Sequence, residues 1–238
     1  MTEQARDHVQ IYVGGDVSGQ IIAGSGNYVT RSEGQPTPNR PVADWTGPTH
    51  YTIVAMDVFR SGSRDDQLLL RMRADLRAIV AGALARQRLD MSQIDRGDLG
   101  DGLRLVAPAT IPPRAFLDPF IPDLASALRE HRRAVADIAR LRLRVAVHMG
   151  LLHRDEDGWA GHPLVHCARL LDAQPVRRAL ELAERADLVL VVSQMVHDEL
   201  VRHGHGLDPA SYRQVTIVEK ETRAPAWVHV PGYPVPPS

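Results

Sequence analysis

The stretch Ile53-Val54-Ala55-Met56-Asp57-Val58-Phe59-Arg60-Ser61-Gly62-Ser63 decides how the chain is read. Its first residues are the apolar run of a buried strand, and Asp57 ends that run on a carboxylate. A short polar loop, Ser61-Gly62-Ser63, leads into a helical pattern over residues 66–87. Backbone N–H groups, hydroxyls and the positive end of a helix suit phosphate, so Phe59, Ser61, Gly62 and Ser63 are candidate phosphate-binding positions. Asp57 is a candidate cation ligand, and a simple cap of the turn is its alternative role.

Working outward, Leu69, Met72, Leu76, Ile79, Val80 and Leu84 give one apolar side to a helix over 67–84. Residues 91–96 and 103–107 read as two strands joined by the acidic glycine turn Gly97-Asp98-Leu99-Gly100-Asp101-Gly102. A helix is expected over 112–133, a half-buried strand over 141–150 with Arg142 and Arg144 on its polar side, and a short helix over 164–171. A buried strand over 188–192, a helix over 194–202 and a hairpin of 214–218 with 226–230 complete the pattern. Strands alternating with helices around an antiparallel pair predict an α+β fold: a mostly antiparallel sheet with helices packed on it.

Residues 1–31 form a glycine-rich segment of short β-type runs, an expected contact for an effector protein, and residues 32–50 a proline-rich linker. The folded domain is expected over 51–230, with 231–238 as a tail. At 238 residues and 44% hydrophobic content the chain has enough apolar sequence for one good core. A net charge of -1 argues against nucleic acid as a partner. The absence of a long apolar run argues against a membrane span, and the single Cys167 suits a reducing cytoplasm.

The glycine turn supplies the second half of the candidate site. A hairpin holds Asp101 beside a neighbouring strand end, where it can approach Asp57; Asp98 is the alternative acid. Two carboxylates this close repel unless cations lie between them, and hard oxygen ligands suit Mg²⁺ or Mn²⁺. The eleven histidines lack a cysteine or acid at zinc-type spacing.

Strand-Asp57-loop-helix, the hairpin Gly100-Asp101-Gly102, the strand 143–150 and Gly161-His162-Pro163-Leu164-Val165-His166-Cys167-Ala168-Arg169-Leu170-Leu171-Asp172 together resemble the catalytic domain of class III nucleotidyl cyclases, in an actinobacterial version. The resemblance spans about 51–230 and implies a ferredoxin-like βαββαβ sandwich. It implies that Asp57 and Asp101 bind two Mg²⁺ or Mn²⁺ ions per site, with Val58 offering a backbone carbonyl. It places Arg169 on the transition-state arginine and Lys220, the chain's only lysine, near the phosphate-binding lysine. It further implies a nucleoside triphosphate substrate, a 3′,5′-cyclic nucleotide and pyrophosphate as products, and a homodimer whose sites are composite.

The chain departs from the family at the base and ribose pocket. The base-reading lysine position falls on Gly97, and its acidic partner on Gly158 with Asp157 next to it. The ribose-orienting asparagine falls on Val165, with His166 adjacent as a substitute. Either another base is read or none is. Pyrimidine cyclases of bacterial antiphage systems are similar in having altered base pockets. A degenerate cyclase-homology domain that binds nucleotide or only dimerises is the other reading the departures leave open.

Overall fold

The computed structural model describes residues 47–238 except 88, 157 and 205. The expected N-terminal segment and most of the expected linker lie outside the described residues. Eight strands form one sheet in the order β2-β3-β1-β4-β6-β8-β7, with β5 added to the far end of β4. In chain order these are β1 (Thr49–Val58), β2 (Asp95–Asp98), β3 (Gly102–Pro108), β4 (Leu143–Asp155), β5 (Gly158–Ala160), β6 (Leu188–Ser193), β7 (Tyr212–Glu219) and β8 (Thr222–His229). Among the described residues, only β4 and β6 pair in parallel.

Helices cover both faces of this sheet. The helices α1 (Asp66–Ala85) and α2 (Phe120–Ala134) bury Met72, Leu76, Val80, Leu84, Phe120, Leu124 and Leu128 against Val54, Met56, Leu105, Val145 and Leu190. On the other face, α3 (His162–Asp172) and α4 (Gln174–Leu182) bury Cys167, Leu170, Val176 and Leu180 against Ile53, Ala55, Ala146, Val191 and Ile217. Each fully buried aliphatic side chain contributes about 1.5–3 kcal/mol relative to exposure, so the two layers hold β1 rigidly at the centre. Small residues set the spacing: Ala55 pairs with Ala146, which lets α3 bring the Cys167 sulfur within 3.6 Å of the Ala146 carbonyl.

Three expected elements are broken or change type. The helix expected over 112–133 is broken, because Pro119 has no N–H and disfavours helix at Asp118; a short turn Pro113–Phe116 precedes α2. The strand expected over 91–96 is a tight turn, Met91–Gln93, capped by Asp90, and pairing begins only at Asp95. The helix expected over 194–202 is a short α5 (Gln194–Val196) that widens into a π-type turn, His197–Val201. Among the described residues, no helix is long and apolar enough to cross a membrane.

Candidate active site at the end of the central strand

Asp57 is the last residue of β1 but one, and lies between Gly102 of β3 and Arg144 of β4. It is 8% exposed. Arg144 grips it with both arms of its fork: Nε donates to Oδ1 at 2.8 Å and Nη2 donates to Oδ2. The same guanidinium lies 3.8 Å from Asp172 at the end of α3, and its Nη1 is buried without a partner. Burial pushes the Asp57 carboxyl up to about 6; Arg144 pulls it down, while Asp101 and Asp172 add to the rise.

Asp101 reaches the same strand end from the β2–β3 turn. Its carbonyl accepts from Val58 N at 3.2 Å, continuing the β1–β3 ladder by one step, and its carboxylate accepts from the Ser61 hydroxyl. The approach depends on Gly102, where a Cβ would lie 2.1 Å from the Met56 carbonyl oxygen. Asp98 is turned elsewhere: it accepts from Arg73 at 2.5 Å, from Arg77 and from Gly100 N at 2.8 Å. The Gly100 N–H and then the arginines hold its carboxyl below the usual range. Asp101, not Asp98, is electrostatically coupled to Asp57.

The loop between β1 and α1 is a single tight turn, Ser61–Ser63, entered through Arg60 at φ 57. Phe59 is buried and anchors it through its N–H to the Arg142 carbonyl at 2.8 Å. Gly62 faces open space. The positive end of α1, which the sequence offers to phosphate, is occupied by the chain itself: Asp65 accepts from Leu68 N at 2.9 Å, and Asp66 adds a second acid in the first turn.

The remaining candidates divide between two other places. Arg169 on α3 donates to Glu221 at 3.3 Å, and its Nε is buried without a partner. Glu221 and Lys220, the latter at φ 50, form the two-residue turn between β7 and β8. From Val189, level with Arg144 and Asp57, the register runs four residues to Ser193 and, through Ala226, four more to Thr222. At ~3.3 Å per residue that is roughly 26 Å along the strands, so Asp57 and Lys220 stand at opposite ends of the sheet.

Of the base-pocket candidates, Gly97 is in β2 at the sheet edge, with the Arg104 guanidinium across it, 3.0 Å from where a Cβ would be. Val165 is exposed, and His166 stacks into a histidine group, 4.7 Å from the His148 ring and 6.3 Å from the His162 ring. His148 shares a 2.8 Å hydrogen bond with Ser193. Burial, reinforced by His166 and His162, lowers His148 to about 4. Asp157 lies outside the described residues.

Arg144, whose fork holds Asp57, is the side chain that the sequence reading misses, placing it on the polar side of a half-buried strand. Its signal is the covering of β4 on both faces, which leaves an arginine there in need of a carboxylate. For a divalent cation, the residues present fit. Asp57 and Asp101 offer hard oxygens on adjoining strand ends, and the coupling between them is repulsive, so a cation between them is favoured. Among the described residues no group of three or more acid, histidine or cysteine side chains is disposed around one point. The carboxylates of Asp57 and Asp101 are hard donors of the kind Mg²⁺ takes together with water and phosphate oxygens, and here both Asp57 oxygens accept from Arg144.

Solved structures that share this fold include three cyclase domains. The adenylate/guanylate cyclase/hydrolase from Silicibacter pomeroyi is 16% identical with a TM-score of 0.56, over 77% of this chain and 98% of that one. The guanylyl cyclase Cya2 is 11% identical with a TM-score of 0.53, over 82% and 100%. The catalytic core of a rhodopsin-guanylyl cyclase with converted specificity, in complex with ATPalphaS, is 12% identical with a TM-score of 0.50, over 77% and 96%. No family model and no curated protein matches the sequence. The likeness establishes the fold, that of adenylate and guanylate cyclase catalytic domains of class III.

Proposed function

We propose that this chain, which carries the fold of class III cyclase catalytic domains, is a metal-dependent nucleotidyl cyclase that works as a homodimer. The 3′-hydroxyl of a nucleoside triphosphate attacks the α-phosphorus, pyrophosphate leaves, and a 3′,5′-cyclic nucleotide forms. One observation carries the reading. The acids Asp57 and Asp101 are coupled at one end of the sheet, while Lys220 lies at the other, in the turn whose Glu221 accepts from Arg169. Head-to-tail pairing of two chains joins the Asp57 and Asp101 end of one to the Lys220 turn of the other.

In this reading Asp57, Asp101 and the Val58 carbonyl hold Mg²⁺ or Mn²⁺, which when bound offsets phosphate charge and favours loss of the hydroxyl proton. Arg144 keeps the buried Asp57 ionised and oriented for that task. Arg169 of the second chain stabilises charge on the reacting phosphorus with its planar fork, and Lys220 holds the departing phosphates. Phe59, Ser61, Gly62 and Ser63 are the proposed phosphate-binding positions, and His166 takes the ribose contact beside the asparagine position, which falls on Val165. With Gly97 and Val165 small and apolar, selection of the base rests on other contacts, and a base other than adenine fits an antiphage or signalling role. The neighbour that holds ATPalphaS supports a nucleoside triphosphate as the ligand.

The test is complementation. Purified protein with Mn²⁺ and each of the four ribonucleoside triphosphates should yield cyclic product, and Asp57→Ala and Arg169→Ala should each abolish it. Mixing the two variants should restore about a quarter of wild-type activity, because half the dimers are mixed and each has one intact site. Absence of product from all four nucleotides, or two dead variants that stay dead when mixed, ends the proposal. The bidentate hold of Arg144 on Asp57 favours a second reading, a degenerate domain that binds nucleotide without turnover. Thermal stabilisation by a nucleotide with no product would select it.

A further inference from the structure

Beside the β1–α1 loop lies a cavity of about 300 Å³ lined by Phe59, Arg60, Arg64, Asp137, Arg140 and Arg142. Neither Asp57 nor Asp101 lines it. We propose that this pocket binds a phosphate group, either free or carried on a nucleotide, independently of the cation site.

Four arginines line it, two of them ion-paired. Arg60 pairs with Glu181 at 3.2 Å, and Arg140 with Asp187, which also serves Arg132 at 2.9 Å. Among the described residues, the hydrogen bonds of Arg142 and Arg64 go to carbonyl oxygens. Arg142 donates to the carbonyls of Ala186, Leu180 and Ala183, and Arg64 to that of Arg140. One acid, Asp137, is left in the lining.

The Arg64 fork is half used. Its Nη2 is bonded, while its Nη1 is buried without a partner, a state that costs free energy unless a ligand supplies an acceptor. Phe59 forms an apolar wall, with Arg60 at 5.0 Å and Arg142 at 5.7 Å from its ring centre, and it keeps both guanidiniums at the cavity. Burial holds Arg64 and Arg142 below the ordinary guanidinium range, and for Arg142 the charges of Arg140 and Arg60 add to this. Arginine forks crowded against like charge match a phosphate dianion, whose oxygens accept several charge-assisted bonds at once.

The experiment measures binding without divalent metal, by calorimetry and thermal shift, with inorganic phosphate and pyrophosphate against chloride at matched ionic strength. Wild type should bind phosphate over chloride. Arg64→Gln and the exposed-site variant Arg60→Gln should each weaken binding about tenfold or more, as expected for loss of a charge-assisted bond. Arg154→Gln, a surface change elsewhere, should leave it intact. If nucleoside triphosphates bind with Arg64 dependence while the inorganic anions do not, the pocket takes a nucleotide tail; if all bind, it takes the free ion as well. Failure of inorganic phosphate, pyrophosphate and nucleoside triphosphates alike to bind in preference to chloride, or Arg64→Gln and Arg60→Gln proteins that bind like wild type, overturns the proposal. Asp101→Asn should retain binding, so a failed cyclase reading leaves this result standing.

Discussion

His148 shows what the fold demands of a single side chain. It is 8% exposed, faces Ser193, His166 and His162, and is held by burial at about 4. The unfolded chain takes up this proton near 6.5, so between those values the unfolded state binds more protons than the folded one. Stability from this group is therefore full above about 6.5 and is lost as pH falls through about 4. Integrated over that window the effect is up to about 3 kcal/mol. Asp57, raised to about 6, works in the opposite sense, because the folded state takes up its proton before the unfolded chain does. His148→Gln should therefore shift the slope of urea-unfolding stability between pH 6.5 and 4 toward greater stability at acid pH; an unchanged slope would contradict the assignment. At this scale the sequence speaks unevenly. Asp57 is legible because an acid closes an apolar run, and Asp101 because glycines flank it. Arg144 is not, since the pattern that assigns a residue to an outer face presumes a strand covered on one face only.

Among elements, the β1–β3 pairing positions the acids, and its tolerance is set by Gly102. A Cβ there would meet the Met56 carbonyl at 2.1 Å and the Asp57 Cα at 3.0 Å, backbone atoms that side-chain rotation cannot clear. Gly102→Ala should cost several kcal/mol, on the scale of overpacked core substitutions. It should also move Asp101 away from Val58, which amide exchange at Val58 would report as lost protection. A melting temperature within a degree of wild type would contradict the assigned contact. The central strands and α1 follow directly from their apolar periodicity. The helix α4 escapes it, because Val176, Ala179 and Leu180 present a thin apolar stripe among Arg177, Arg178 and Glu181 behind Pro175. The split before α2 is written in Pro119, whose effect on Asp118 outweighs the helical pattern around it.

For the molecule as a whole, the sheet separates the end that carries Asp57 and Asp101 from the β7–β8 turn, and the proposed pairing of two copies rests on that separation. Fold class was readable from the alternation of strands and helices; the opposition of the two ends was not, because it depends on register between strands distant in sequence. The chain's sole thiol adds an opportunity. Cys167 is fully buried against the Ile53 and Ala146 carbonyls, and burial pushes it up to about 12. Aromatic disulfide reagents should leave the native protein unmodified and titrate one thiol after urea. Its exterior is thus a blank canvas for maleimide chemistry. Glu221→Cys carrying a nitroxide spin label, in otherwise native protein, would turn the spacing between paired copies into a readable ruler.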